Sequence, residues 1–86
     1  MNWENVRENY PNQWVLVEAI EAHSESGKRI IDQLAVLNIF PDSLIAMRSY
    51  KELHKKSPNR ELYVLHTNRK ALDILERKWI GIRGSS

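Results

Sequence analysis

From Gln13 to Phe40 the chain carries two apolar runs around one polar break, and this pattern leaves few folds open. The first run is Trp14-Val15-Leu16-Val17 with Ala19, Ile20 and Ala22. The break is Ser24-Glu25-Ser26-Gly27-Lys28, and the second run extends from Ile30 to Phe40. Two runs rich in β-branched and aromatic residues around a short glycine-containing loop predict a long β-hairpin. Strands are expected at about 13–23 and 29–40. Along the first, Val15, Val17 and Ala19 share one face and Trp14, Leu16, Glu18 and Ile20 the other, since strand side chains alternate. Both faces are apolar near Trp14, so that end should be covered on both sides. Towards Glu21 and Glu25 the strand turns polar and should project into solvent. The second strand reverses the trend, with Asp32 and Gln33 near the turn and Val36, Leu37, Ile39 and Phe40 at the base. Antiparallel pairing therefore joins like halves.

The flanking segments complete an α+β domain of order αββα(β) with a mainly antiparallel sheet. Asn2 is suited to cap a short helix through Tyr10, with Trp3, Val6 and Tyr10 on one face and Pro11 ending it. Two turns do not hold alone in water, so this helix must dock its aromatic face on the sheet, with Trp3 and Trp14 meeting in the core. Asp42 or Ser43 can cap a helix at 43–57, whose Ala46, Met47, Tyr50, Leu53 and His54 form one stripe. His54, Lys55 and Lys56 suit its C-terminal dipole, and Pro58 stops it. A third strand is expected from Glu61 to Thr67. One or two helical turns at about 68–75, capped by Thr67 or Asn68, and an edge strand at about 77–83 are expected to follow.

The chain has 86 residues, enough for one domain spanning 1–86 and no second core. It has no cysteine, which excludes disulfides and thiolate metal sites. No apolar run approaches the ~18 residues of a membrane span, and Glu4, Glu8 and Glu18 oppose a signal peptide, so a cytoplasmic protein is expected. Thirteen basic against eleven acidic residues give a net charge of +2, too small an excess to imply nucleic acid by itself. The distribution is polarised: acidic residues dominate the first 25 positions and basic residues the second half.

Tyr10-Pro11-Asn12-Gln13-Trp14-Val15 resembles the Tyr-Pro-Gly-Lys-Trp-Val opening of short uncharacterised prokaryotic domains, and Tyr63-Val64-Leu65 resembles their closing strand. The resemblance spans about residues 5–67. It implies a helical lead-in, a hairpin, a helix and a strand, and it carries over no catalytic residue; a bacterial-type cytosol is the expected setting. Asn12 stands where that opening has glycine, and the hairpin here is longer.

No spacing joins His23, His54 and His66 into a catalytic or metal-binding set, so a solvated turn residue, a helix-dipole cap and a strand end account for them. Neither enzymatic residues nor cofactors are expected. The function expected is a non-enzymatic protein-interaction module, self-associating as a homodimer through a sheet face or edge, or docking on another protein. Trp14, Val17, Ile31 and Trp79 are its candidate contact residues. The alternative is a small RNA-binding protein or toxin-type ribonuclease. In it Lys55, Lys56, Arg60, His66, Arg69 and Lys70 would meet phosphates beside stacking aromatics.

Overall fold

A computed structural model of the chain describes residues 1–72 and 74–75. Helix α1 (Trp3–Asn9) leads into strands β1 (Trp14–Glu25) and β2 (Lys28–Phe40), then helix α2 (Ser43–Lys56), β3 (Leu62–His66) and a two-residue β4 (Ile74–Leu75). The expected α+β architecture with its long hairpin is present. The strand order is β3-β1-β2-β4, and all neighbours are antiparallel.

The local signals act as their chemistry requires. Asn2 Oδ1 accepts from the Asn5 N–H at 2.9 Å, and Asn5 Oδ1 accepts in return from the Asn2 N–H at 3.2 Å, so two free donors of α1 are satisfied reciprocally. Asp42, rather than Ser43, caps α2, accepting from the Ile45 N–H at 2.9 Å. At the hairpin tip Ser26 (φ 50°) and Gly27 (φ 77°) are both left-handed, the sign pattern of a type I′ turn. Asn12 is left-handed too, with φ 55°, and turns the chain from α1 into β1.

Strand parity sorts the core into two layers. On one face Val15, Val17, Leu34 and Leu65 pack under Trp3 and Val6 of α1. On the other, Leu16, Phe40 and Leu62 pack under Ala46 of α2, with Trp14, Tyr50 and Leu53 at the rim. The expected union of Trp3 and Trp14 is therefore corrected. Trp14 shares its face with Leu16, and so lies across the sheet from α1, edge-on to His66 at 5.0 Å. Met47 and His54, expected on the buried stripe of α2, are exposed, and His54 stacks on Tyr50 at 5.6 Å.

The stretch after β3 departs from expectation. In place of helical turns at 68–75, the chain turns at 67–68, and β4 then pairs with Lys28 and Arg29 at the hairpin tip. Thr67 is not a helix cap but a pin. It is buried, its Oγ1 accepts from the Gln13 N–H (3.0 Å), its N–H donates to the Gln13 carbonyl (2.9 Å), and its own carbonyl accepts from Arg7 Nε (3.0 Å). The edge strand expected at 77–83 lies outside the described residues.

Candidate interaction surface

What this molecule can offer a partner follows from which parts of the sheet its helices cover. Helix α1 is seven residues and α2 fourteen, so they run for roughly 10 and 21 Å, whereas twelve-residue β1 extends for roughly 40 Å. The base half of the sheet is covered on both faces. Towards the tip, the α1 side is closed by the Ile31 side chain, Leu72 and a strap of polar bonds. Arg29 reaches across the hairpin to make a two-point ion pair with Glu61 (2.8 and 2.9 Å), and the Tyr63 hydroxyl donates to the same carboxylate at 2.5 Å. Arg29, helped by Tyr63 and opposed by partial burial, holds the Glu61 carboxyl below its ordinary range. Burial first, and then the adjacent Glu61 carboxylate, push the Tyr63 hydroxyl up to about 12.

A second two-point pair joins Arg60 to Glu18 (2.6 and 3.0 Å), and that guanidinium lowers the Glu18 carboxyl. Nearer the tip, the opposite sheet face carries His23. Its Nδ1 lies 2.7 Å from Asp32 and its Nε2 3.2 Å from Glu25, and the two carboxylates raise the imidazole pKa, Asp32 most. That outer surface is polar and solvated.

The candidate residues fall into these settings unequally. Val17, at 2% exposure, lies beneath α1, and Ile31 is half-buried against the same core. Val17 thus presents no free face and serves as a core residue, whereas Ile31 keeps part of its surface accessible. Trp14 is half-buried at the base, and Trp79 lies outside the described residues. Among the cations, Arg60 is held by Glu18. Lys55 and Lys56 are exposed at the end of α2, while Arg69 and Lys70 sit on the segment crossing the α1 face, where the Arg69 carbonyl accepts from the Trp3 indole N–H at 2.8 Å. His66 Nδ1 accepts from the Asn68 N–H. The two cationic groups thus occupy opposite faces of the sheet and do not form one surface. Among the described residues no group of three or more His, Asp or Glu could hold a metal ion, and no helix is long and apolar enough to cross a membrane.

The remaining open ground is the outer edge of β2. Its neighbour β4 pairs only with Lys28 and Arg29, and the Leu34 N–H is taken by the Met1 carbonyl at 2.9 Å. From Val36 to Phe40 no strand lies beside it among the described residues, and this stretch carries no charge. Leu37 (37%) and Ile39 (41%) are exposed there, and Ile45 (43%) and Leu44 (78%) are exposed at the start of α2. The Ile39 N–H donates to Oδ1 of its own neighbour Asn38 at 2.8 Å, a local bond that occupies the donor without a partner strand. The other edge, β3, is five residues long with Leu62 and Leu65 buried, so it offers backbone and little side chain. The sequence contained the signal for this edge, the uncharged run 34–40, but not the sheet order that leaves it open. Comparison with protein-family models, with curated proteins and with solved structures returns no match.

Proposed function

We propose that this chain is a small non-enzymatic, cytoplasmic interaction module that self-associates through the open edge of β2. One observation carries the reading. Helices cover both faces of the apolar half of the sheet, yet five uncharged residues at the end of β2 keep an unpaired edge with Leu37 and Ile39 exposed. Edges of this kind are usually blunted with lysine, proline, a bulge or a covering element, because unpaired N–H and C=O groups template the addition of another strand. Here a bulge at Leu37 and Pro41 bound a short uncharged stretch with no lysine and no covering strand among the described residues. Strand addition gains affinity from the main chain and selectivity from the alternate side chains.

Sedimentation velocity across a wide concentration range tests this directly. The wild-type chain is expected to show a concentration-dependent dimer, and Ile39→Lys, which places a charge on the edge without touching the core, is expected to remain monomeric. A wild-type chain that stays monomeric at millimolar concentration would remove the reading. Salt-dependent RNA affinity that falls when Lys55 and Lys56 are both neutralised would replace it with the nucleic-acid alternative.

A further inference from the structure

We propose that the outward face of α2 lies on an anionic phospholipid surface, with Leu44 entering among the headgroups and the helix cations meeting the lipid phosphates. This surface is separate from the β2 edge and does not depend on self-association. Two independent features of the helix meet there. The first is apolar. A helix on a small domain normally turns its large aliphatic residues to the core, yet the buried residue of α2 is Ala46. Leu44 (78%), Ile45 (43%) and Met47 (40%) are all exposed at the start of the helix. A single exposed leucine is ordinary, but three large aliphatic side chains around one helix end form a patch.

The second feature is charge. Arg48, Lys51, Lys55 and Lys56 are exposed, and Glu52 is the one acid within α2. Among the described residues none of these four cations is in an ion pair. At 3.6 residues per turn, Leu44, Arg48, Lys51 and Lys55 fall within about 60° of arc, a stripe roughly 17 Å long. It runs on the side opposite Ala46 and Leu53, which pack on the sheet. Glu52 sits to one side of it. Asp42, the acid at the apolar end, already serves the helix, its Oδ1 accepting from the Ile45 N–H at 2.9 Å.

Aliphatic and cationic groups on one convex face select a lipid surface over other polyanions. The headgroup boundary takes apolar side chains to a depth of about 5–10 Å, while lysine and arginine stems snorkel out to the phosphates. RNA would satisfy the cations and leave Leu44 in water. Bases are held by stacking, and the stripe carries no aromatic, since Tyr50 is half-buried and stacked on His54. Peptides dock in grooves or along strand edges, and this face is neither. A second copy would set its own cations against these.

Cosedimentation with lipid vesicles tests the inference, using phosphatidylcholine alone and phosphatidylcholine with about a third phosphatidylserine. The wild-type chain is expected to partition onto the anionic vesicles at low salt, to leave them at high salt, and to ignore the neutral ones. Lys51→Gln combined with Lys55→Gln should lower the partition coefficient about 25-fold, at about fivefold per cation. Leu44→Gln changes no charge and lies outside both core layers, and it should lower partition about tenfold. Met47→Gln repeats the apolar test at a second position, and circular dichroism establishes that each variant is folded. Failure of the wild-type chain to bind anionic vesicles at low salt overturns the inference. So does binding that both apolar variants leave unchanged, which would mark mere attraction of surface cations to anions.

Discussion

Removing the Trp3 side chain tests the premise on which the edge argument stands, namely that α1 closes one face of the sheet. Trp3 is 7% exposed, packs with Val6 on Val15, Val17 and Leu65, and donates its indole N–H to the Arg69 carbonyl at 2.8 Å. A seven-residue helix has almost no stability of its own, so this contact holds it in place. Truncating a buried tryptophan to alanine costs about 3–5 kcal/mol. A chain of 86 residues has roughly 4–13 kcal/mol in total. Trp3→Ala should therefore remove about a quarter or more of the stability and lower the melting temperature by at least about 12 °C, at about 4 °C or more per kcal/mol. Trp3→Phe keeps most of the packing and loses the hydrogen bond, a loss of about 1 kcal/mol. Thermal and urea unfolding followed by far-ultraviolet circular dichroism suits this comparison, since the signal does not depend on the tryptophan removed. If Trp3→Ala cost less than about 1 kcal/mol, α1 would not be docked as described. The Val15/Val17 face would then be open, and the restriction of contact surface to the sheet edge would fail.

Further outcomes follow from the polar strap and the turns. Glu61 titrates below its ordinary value in the folded chain, so its ion pair contributes above about pH 4.3 and is lost as pH falls through the lower folded value. An acid titration of Arg29→Gln should accordingly show a smaller stability loss in that window than wild type. Tyr63 should ionise at about 12, and a spectrophotometric phenol titration in which Tyr63→Phe leaves the most alkaline phase unchanged would refute the assignment. His23 titrates above its ordinary value, so its contribution is complete below about pH 6.5 and lost as pH rises through the higher folded value. NMR of the imidazole in wild type and Asp32→Asn should show that pKa fall in the variant. At the tip, Ser26→Asn should stabilise the left-handed position, and Gly27→Ala should destabilise it by about 1 kcal/mol, both read by urea unfolding.

The parts of this fold legible in the sequence are those set by near neighbours. The hairpin, both helices and the caps Asn2 and Asp42 each depend on residues within one turn or one strand. The opposite placement of Trp3 and Trp14 was also implicit, since Trp14 has the parity of Leu16. What could not be read depends on long-range pairing. Nothing local says that β3 joins β1 rather than β2, and that choice leaves the β2 edge open. The pairs Arg29–Glu61 and Arg60–Glu18 join residues 32 and 42 positions apart. Thr67 has the same side chain whether it caps a helix or pins a strand, and only the arrival of Gln13 beside it decides. The register shifts of the hairpin, with extra residues at Leu37 and Asp32 in β2 and at Ile20 in β1, leave no mark on the alternation strong enough to locate them.

The left-handed joint at Asn12 bears on how relatives of this chain can be sought. A β-branched residue is nearly excluded at φ 55°, whereas glycine, asparagine and aspartate are admitted. The joint sits two residues before the tryptophan that opens β1 and directly after a proline that ends α1. Backbone geometry thus converts into a search pattern: a helix-ending proline, one residue from a set of three, one free position and an aromatic strand start. Chains too diverged for overall similarity to register can still be filtered at that single position.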